Sequence, residues 1–200
     1  MRSKLVNMKD IESLLQRLDK TLREYNPTFY GLLYPPLSGD EVVSKLAELG
    51  CDDGDLKAWF GWRNGIDPDA DPDVECMIFY FGAMPMSLDA VIGTVRARER
   101  TRVWEEHFIP LATDGTGLYL LFNNKAGANY GKIYLYSVSL LFIEPVSYYD
   151  SLAAFIETTI LDYEQEALVY DAHENWLDED SRKHEEIAAG VNVGSDHWKR

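Results

Sequence analysis

The carboxylates whose spacing most resembles a ligand set lie in one acidic segment: Asp67, Asp69, Asp71, Asp73 and Glu75. Alternating aspartates open the calcium loop of an EF-hand, which also requires glycine at its sixth position and glutamate at its twelfth. Counted from Asp67, those positions hold Pro72 and Ile78. The pattern therefore disfavours a metal site. It leaves two interpretations open: a solvated acidic loop, or a surface that contacts a basic partner, which is our prediction for a binding site.

Two tryptophans three residues apart, Trp59 and Trp62, lie on a predicted short helix together with Leu56 and Phe60. Residues at this spacing share one helix face. A face of large apolar side chains is typical of a core, or of a lid over a sheet. An exposed tryptophan is instead a favoured anchor in protein interfaces. We therefore add both tryptophans to the predicted partner-binding residues.

The remaining candidates for chemistry lack the spacing that catalysis or metal binding requires. The histidines are His107, His173, His184 and His197. No two of them have the four-residue spacing of a helical zinc site, so we expect them at the surface. The turn at 115–117 lacks the third glycine and the lysine of a phosphate-binding loop, and no G-x-S-x-G motif occurs. We expect no metal, no cofactor and no enzymatic activity; catalysis by scattered carboxylates is the less favoured alternative.

Composition narrows the classes of partner. The net charge of −15 disfavours binding to nucleic acid or to an anionic membrane surface. It is compatible with simple solubility, or with a basic protein partner drawn in by the electric field. The sequence contains no secretory signal and no apolar run of the roughly 18 residues that span a bilayer. The two cysteines, Cys51 and Cys76, have no nearby cysteine or histidine, so we expect them in the core of a cytoplasmic protein.

The first third of the chain predicts three helices. Apolar residues at spacings of three and four indicate a helix over Leu5–Tyr25, which the following proline ends. Ser38 followed by Glu41 is a capping-box pattern, so a second helix begins there and ends at Gly50. The third begins near Asp53 and stops at Asn64-Gly65.

Apolar runs predict strands at Met77–Phe81, Phe108–Ala112, Leu118–Phe122, Lys132–Val138 and Leu141–Val146. A helix from Ser87 to about Trp104 separates the first two. Its arginines, at every second position from 96 to 102, predict a solvated basic surface. Asp150 or Ser151 caps a closing helix that extends to about Tyr170.

This order predicts an α+β fold: N-terminal helices, a mostly antiparallel sheet of about 4–6 strands, and a closing C-terminal helix packed on the sheet. We expect residues 1–170 to form a single domain. The polar residues 171–200 are predicted to be an extension, either a loosely packed tail or a helix around Glu174–Ala189.

Four segments, in order, resemble the SUKH superfamily, which includes a fungal regulator of cell-wall glucan synthesis. They are Leu-Tyr-Pro-Pro-Leu at 33–37, Trp-Arg-Asn-Gly at 62–65, Phe-Ile-Pro-Leu-Ala at 108–112 with Asp114-Gly115 and Gly117, and Tyr-Asp-Ser-Leu-Ala-Ala-Phe-Ile at 149–156. Together they cover roughly residues 30 to 165. The N-terminal helix and the chain after Tyr170 are additions to the family pattern, as is the longer path from the prolines to the next helix.

The resemblance implies protein binding rather than catalysis. Many bacterial members of the superfamily look like immunity proteins, which bind and neutralise a toxin of the same or a neighbouring cell. Such toxins are often nucleases, which tend to be basic, and the acidity of this chain agrees with that kind of partner. The resemblance equally allows a regulatory or scaffold domain related to the cell-wall regulator. Neither the toxin nor the oligomeric state follows from the sequence.

Overall fold

Helices precede and follow an antiparallel sheet in this computed structural model, which describes residues 10–66, 79–101, 104–137, 142–174 and 176–199. This arrangement confirms the predicted α+β class. The helices of the described residues are α1 Ile11–Tyr25, α2 Pro27–Tyr30, α3 Gly39–Glu48, α4 Gly54–Trp62, α5 Leu88–Thr101, α6 Leu152–Glu164 and α7 Ser181–Val191. The strands are β1 Met84–Pro85, β2 Phe108–Thr113, β3 Leu118–Asn123, β4 Ile133–Ser137, β5 Phe142–Tyr149, β6 Leu168–Asp171 and β7 Trp176–Glu179.

Local capping signals place the N-terminal helices. The Ser38 hydroxyl accepts a hydrogen bond from the Glu41 N–H, and the Glu41 carboxylate accepts one from the Ser38 N–H, which confirms the capping box. Asp53 caps α4 in a similar way by accepting from Leu56 N. The sequence did not predict α2, which begins at Pro27 because proline suits the first turn of a helix.

Strands β1 to β5 form one antiparallel sheet in sequence order, and β6 pairs with β7 in a separate hairpin. The prediction of a strand at Met77–Phe81 is wrong for the part of this range that the structure describes. Tyr80–Gly82 form a 3₁₀ turn, Phe81 has a φ of 68°, and pairing with β2 begins only at Met84. Met77 and Ile78 lie outside the described residues. A bulky side chain with positive φ cannot continue a strand, so the chain turns here before it joins the sheet.

One face of the sheet packs against the helices to form the main core. Alternation along β3 directs Leu120 and Phe122 into this core, which also contains buried side chains of α1, α4 and α6. Phe155 of α6 lies 4.8 Å from Phe79 and 5.1 Å from Tyr149, between ring centroids. The closing helix therefore lies on the sheet, as predicted.

The Trp-Arg-Asn-Gly segment at 62–65 connects the N-terminal helices to the sheet and to α5. The Asn64 side chain accepts a hydrogen bond from Leu88 N at the start of α5, and the Gly65 carbonyl accepts one from Tyr34 N. Gly65 has a φ of +72°, and a Cβ there would lie 2.2 Å from Ser87 N. Only glycine fits this position, because both the backbone angle and the close approach exclude a side chain.

The chain after α6 is packed, not loose. The predicted helix to about Tyr170 ends instead at Glu164, and Glu166 takes a φ of 58° before the β6–β7 hairpin begins. The later helix, expected near Glu174, begins at Ser181. Asn192 and Ser195, both fully buried, hydrogen-bond to the main body through Asp150 N and the Ser147 carbonyl. In the described ranges no helix is both long enough and apolar enough to cross a bilayer.

Candidate functional site

The predicted acidic segment falls outside the residues that the structure describes, and so do Asp67, Asp69, Asp71, Asp73 and Glu75. Its role as a partner surface stays a prediction. Across the described ranges, no group of three or more histidine, cysteine, aspartate or glutamate side chains is arranged to hold a metal ion.

Trp59 is a core residue. Its side chain is 1% exposed and lies 6.1 Å from both Phe79 and Phe155, between ring centroids. A partner cannot contact a side chain at this depth unless α4 unfolds. The expectation that Trp59 contacts a partner is therefore corrected: the residue stabilises the junction between α4, α6 and the segment before β1.

Trp62 is half-buried and belongs to a polar cluster centred on Asp19. The Asp19 carboxylate accepts hydrogen bonds from Trp62 Nε1 at 3.2 Å and from the Tyr30 hydroxyl at 2.9 Å, and Arg63 lies 3.3 Å away. Partial burial acts to raise the pKa of Asp19, but hydrogen bonds from Tyr30, Arg23 and Trp62 outweigh it and leave the pKa lowered. The Trp62 N–H is thus already used, and the cluster ties α1 to α4.

The face of the sheet turned away from the helices carries a second apolar cluster. Its buried members are Trp104, Phe108, Leu121 and Tyr136. Trp104 lies 4.9 Å from Tyr119 and 5.2 Å from Tyr136, between ring centroids. Trp104 and Phe108 of this cluster line an open groove of about 1070 Å³, which we call the sheet groove. No sequence signal placed these side chains together, because they come from three separate strands and the segment before β2.

The walls of the sheet groove carry charges of both signs. Arg98, predicted to be solvated, is 5% exposed and donates from Nη1 to the Glu105 carbonyl at 3.0 Å. Lys125 lies 3.8 Å from the Glu105 carboxylate, and Glu106 and Glu144 also line the groove. Burial lowers the pKa of the nearby His107. The charges that line the groove therefore favour neither anions nor cations strongly.

The β6–β7 hairpin presents a second surface, which we call the acidic hairpin face. The register pairs Val169 with Asp178 and Asp171 with Trp176, so these four side chains share one side. Val169 is 46% exposed and Trp176 is 43% exposed. Asp171 accepts hydrogen bonds from His173 N and Glu174 N, which lower its pKa and keep the carboxylate charged. The face thus combines apolar side chains with carboxylates.

His184 is not at the surface, contrary to the sequence expectation. Its Nδ1 lies 2.9 Å from Asp162 Oδ2, its Nε2 lies 3.4 Å from the Tyr148 hydroxyl, and Tyr80 stacks on its ring at 3.6 Å. The His184 and Asp162 side chains are 0% and 2% exposed. A histidine between a carboxylate and a hydroxyl resembles an acid–base relay, but no substrate can reach it at this burial. It acts as a clamp that joins α7 to α6 and β5.

Cys51 also lacks the surroundings of a nucleophile. It is 4% exposed and unpaired, and burial raises the pKa of its thiol. Reactive cysteines need the opposite shift, since the thiolate is the nucleophile. The expected core position is confirmed for Cys51, whereas Cys76 lies outside the described residues.

No protein-family model matches the chain, and no curated protein matches it either. The resemblance to the SUKH superfamily therefore stays a prediction, and the function has to be argued from the surface of the molecule.

Proposed function

We propose that this chain is a non-catalytic protein-binding domain of the immunity type, which neutralises a basic toxin by covering its active site. The observation that carries the proposal is the uncompensated negative charge of its surface. Many of its cations are already paired with its own carboxylates, as in Lys45–Asp89 at 2.5 Å and Arg96–Glu48 at 2.7 Å. The sequence has 15 more carboxylates than lysines and arginines, so such pairing cannot neutralise them all.

Such a surface favours a basic protein over other partners. Its field would accelerate the approach of a positively charged protein and repel nucleic acid, which a basic nuclease also binds. Charged groups at the edge of the contact would then set the association rate, and buried aromatic anchors would set the dissociation rate. The resemblance to immunity proteins supports the same partner class, and a cytoplasmic location is part of the proposal.

The test is a pull-down from the lysate of the source organism at low and at high salt, followed by a survival assay. We expect a single basic protein that is retained at low salt and weakened at high salt. Its toxicity, when it is produced in cells, should disappear when this chain is co-produced. A captured basic protein whose toxicity is unchanged by co-production would refute the proposal.

A regulatory or scaffold domain is the alternative that the family resemblance leaves open. It predicts recovery of cell-wall or signalling proteins from the same lysate, with little dependence on salt. That result would replace the immunity proposal.

A further inference from the structure

We propose that the acidic hairpin face is where this protein docks its basic partner. This inference rests on the proposed function and assigns the contact surface that the proposal leaves open. The face offers Val169 and Trp176 as apolar contacts and Asp171 and Asp178 as carboxylates on the same side. In the described part of the chain these two carboxylates have no ion-pair partner. A cationic side chain of a partner can therefore pair with them.

Trp176 gives the face an anchor of the type that dominates protein interfaces. Tryptophan and arginine are enriched among the residues that contribute most to binding, and an arginine stacks well on an indole ring. Trp176 lies directly opposite Asp171, so an incoming guanidinium can contact the ring and the carboxylate together. Simultaneous stacking on an indole ring and pairing with a carboxylate suits arginine better than lysine.

The hairpin is already held in place, so docking needs no folding step. Leu168 and Leu177, on its inner side, are 1% and 2% exposed and belong to the main core. The Glu179 carboxylate accepts a hydrogen bond from Gly82 N at 2.9 Å, which joins β7 to the turn before β1. A preordered surface loses less conformational entropy on binding.

The sheet groove is the competing surface, and it fits a basic partner less well. Two of the aromatic side chains that line it are already buried, with Trp104 at 8% and Phe108 at 6% exposure. Its walls also bring two cations, Arg98 and Lys125, against the carboxylates. A basic partner would gain little new apolar contact there and would meet charges of its own sign.

The two basic residues at the start of α7 do not neutralise the negative charge of the acidic hairpin face. Arg182 and Lys183 line a different groove, between α6 and α7, and Lys183 donates to the Glu166 carbonyl at 3.3 Å. Both are therefore assigned to another surface of the C-terminal segment.

The experiment uses the full chain, labelled with ¹⁵N, and a fluorescein-labelled nona-arginine peptide at low salt. The double variant D171N/D178N removes two charges and keeps acceptors for the turn. The variant E106Q/E144Q removes two charges from the sheet groove and is the matched control. We expect D171N/D178N to weaken peptide binding by about fivefold, from two lost exposed ion pairs, and W176A by about two- to fivefold. The control should change binding by less than about twofold.

Chemical-shift mapping decides where the peptide binds. Shifts that saturate first on β6 and β7 support the proposal. Shifts centred on the sheet groove, or an equal loss of affinity in both double variants, overturn it. Circular dichroism melts of each variant check that the fold is unchanged.

A second arm separates this inference from the proposed function. If the wild-type chain protects cells from the captured toxin, and the triple variant D171N/D178N/W176A protects equally well, the docking surface is wrong although the function stands. If the peptide maps to the hairpin but the wild-type chain gives no protection, the function is wrong and the surface stands.

Discussion

Replacing His184 with leucine tests whether the buried clamp holds the C-terminal segment to the domain. In the wild-type chain the two ring nitrogens of His184 face the Asp162 carboxyl and the Tyr148 hydroxyl. The tautomer protonated at Nδ1 donates to Asp162 and accepts from Tyr148 at Nε2, which satisfies both ring nitrogens. H184L fills similar space but leaves the Asp162 carboxyl buried without this donor. Asp162 Oδ1 already has no hydrogen-bond partner among the described residues, so the carboxyl would lose its one strong contact.

The magnitude follows from the burial of the pair. Both side chains are at most 2% exposed, so water cannot replace the lost donor. Removing one partner of a buried pair costs about 3–5 kcal/mol, whereas replacing both with apolar side chains is often neutral. We therefore expect H184L to lose about 3–5 kcal/mol of unfolding free energy. The double variant D162L/H184L should recover at least about 2 kcal/mol of that loss. Domains are typically stable by about 5–15 kcal/mol, so the single variant stays measurable.

The assay is urea unfolding at neutral pH, followed by tryptophan fluorescence and by far-UV circular dichroism. Hydrogen exchange on the same variants should show faster exchange in β6, β7 and α7 than in β2–β4, because the clamp attaches the C-terminal segment to α6 and β5. A loss below about 1 kcal/mol for H184L, or a double variant whose loss equals the sum of the two single losses, would refute the clamp.

The structure also predicts how three further substitutions change the stability of the protein. Burial raises the pKa of Asp162 above its ordinary value of 3.8. The protonated Asp162 carboxyl therefore stabilises the folded wild-type chain below that pH, and this stabilisation is lost as the pH rises through the raised pKa. The asparagine side chain of D162N does not titrate, so this variant has no such loss. In urea unfolding, the stability of D162N relative to wild type should therefore be higher at about pH 8 than at about pH 4. G65A should cost more than about 2 kcal/mol in the same assay, because of its positive φ and the backbone of Ser87 at 2.2 Å. The control G61A, in helix α4 with nothing within 4 Å, should stabilise by about 0.5–1 kcal/mol. S38A removes the capping hydroxyl of α3 and should lower the unfolding free energy by about 1 kcal/mol; a change of sign would contradict the capping box.

Much of the fold follows from short-range signals in the sequence. The capping box at Ser38, the stop at Asn64-Gly65 and the Asp114 turn between β2 and β3 each act within a few residues, so each can be recognised in one sequence. The Asp114 carboxylate illustrates this: it accepts hydrogen bonds from Thr116 N, Gly117 N and Leu118 N, all within four residues. Strands β2 and β3 accordingly end within one residue of their predicted limits.

The errors lie where distant contacts override a local pattern. Helical spacing continues past Glu164, yet Leu168 is buried as the inner side of a hairpin strand rather than as a helix face. Tyr80 sits in a strand-like run, but it turns away to stack on His184, more than one hundred residues later. Neither partner can be identified from the residues next to it, so periodicity alone predicts the wrong element.

The candidate surfaces were missed for a related reason. The predicted anchor Trp59 is buried, whereas Trp176, in a stretch that composition marks as polar tail, is 43% exposed. The sequence does not distinguish a buried tryptophan from an exposed one. Only the register of β6 with β7 shows that Trp176 lies among carboxylates. Composition shows that the chain is acidic but does not show where its carboxylates lie on the surface.

Buried polar contacts explain how a segment this polar comes to be ordered. An apolar tail would be held mainly by burial of its side chains, but among the described residues after Tyr170 the large apolar side chains that are buried are Leu177 and Ile187, and Trp198 packs partly buried against the core. Hydrogen bonds replace that contact: His184 bonds to Asp162, and Trp198 Nε1 donates to the Tyr148 carbonyl at 2.7 Å. Because buried polar groups are costly unless their partners are in place, these contacts favour one arrangement over looser ones. The same contacts that keep the interior of the segment satisfied leave its carboxylates on the outside, where a basic partner can meet them.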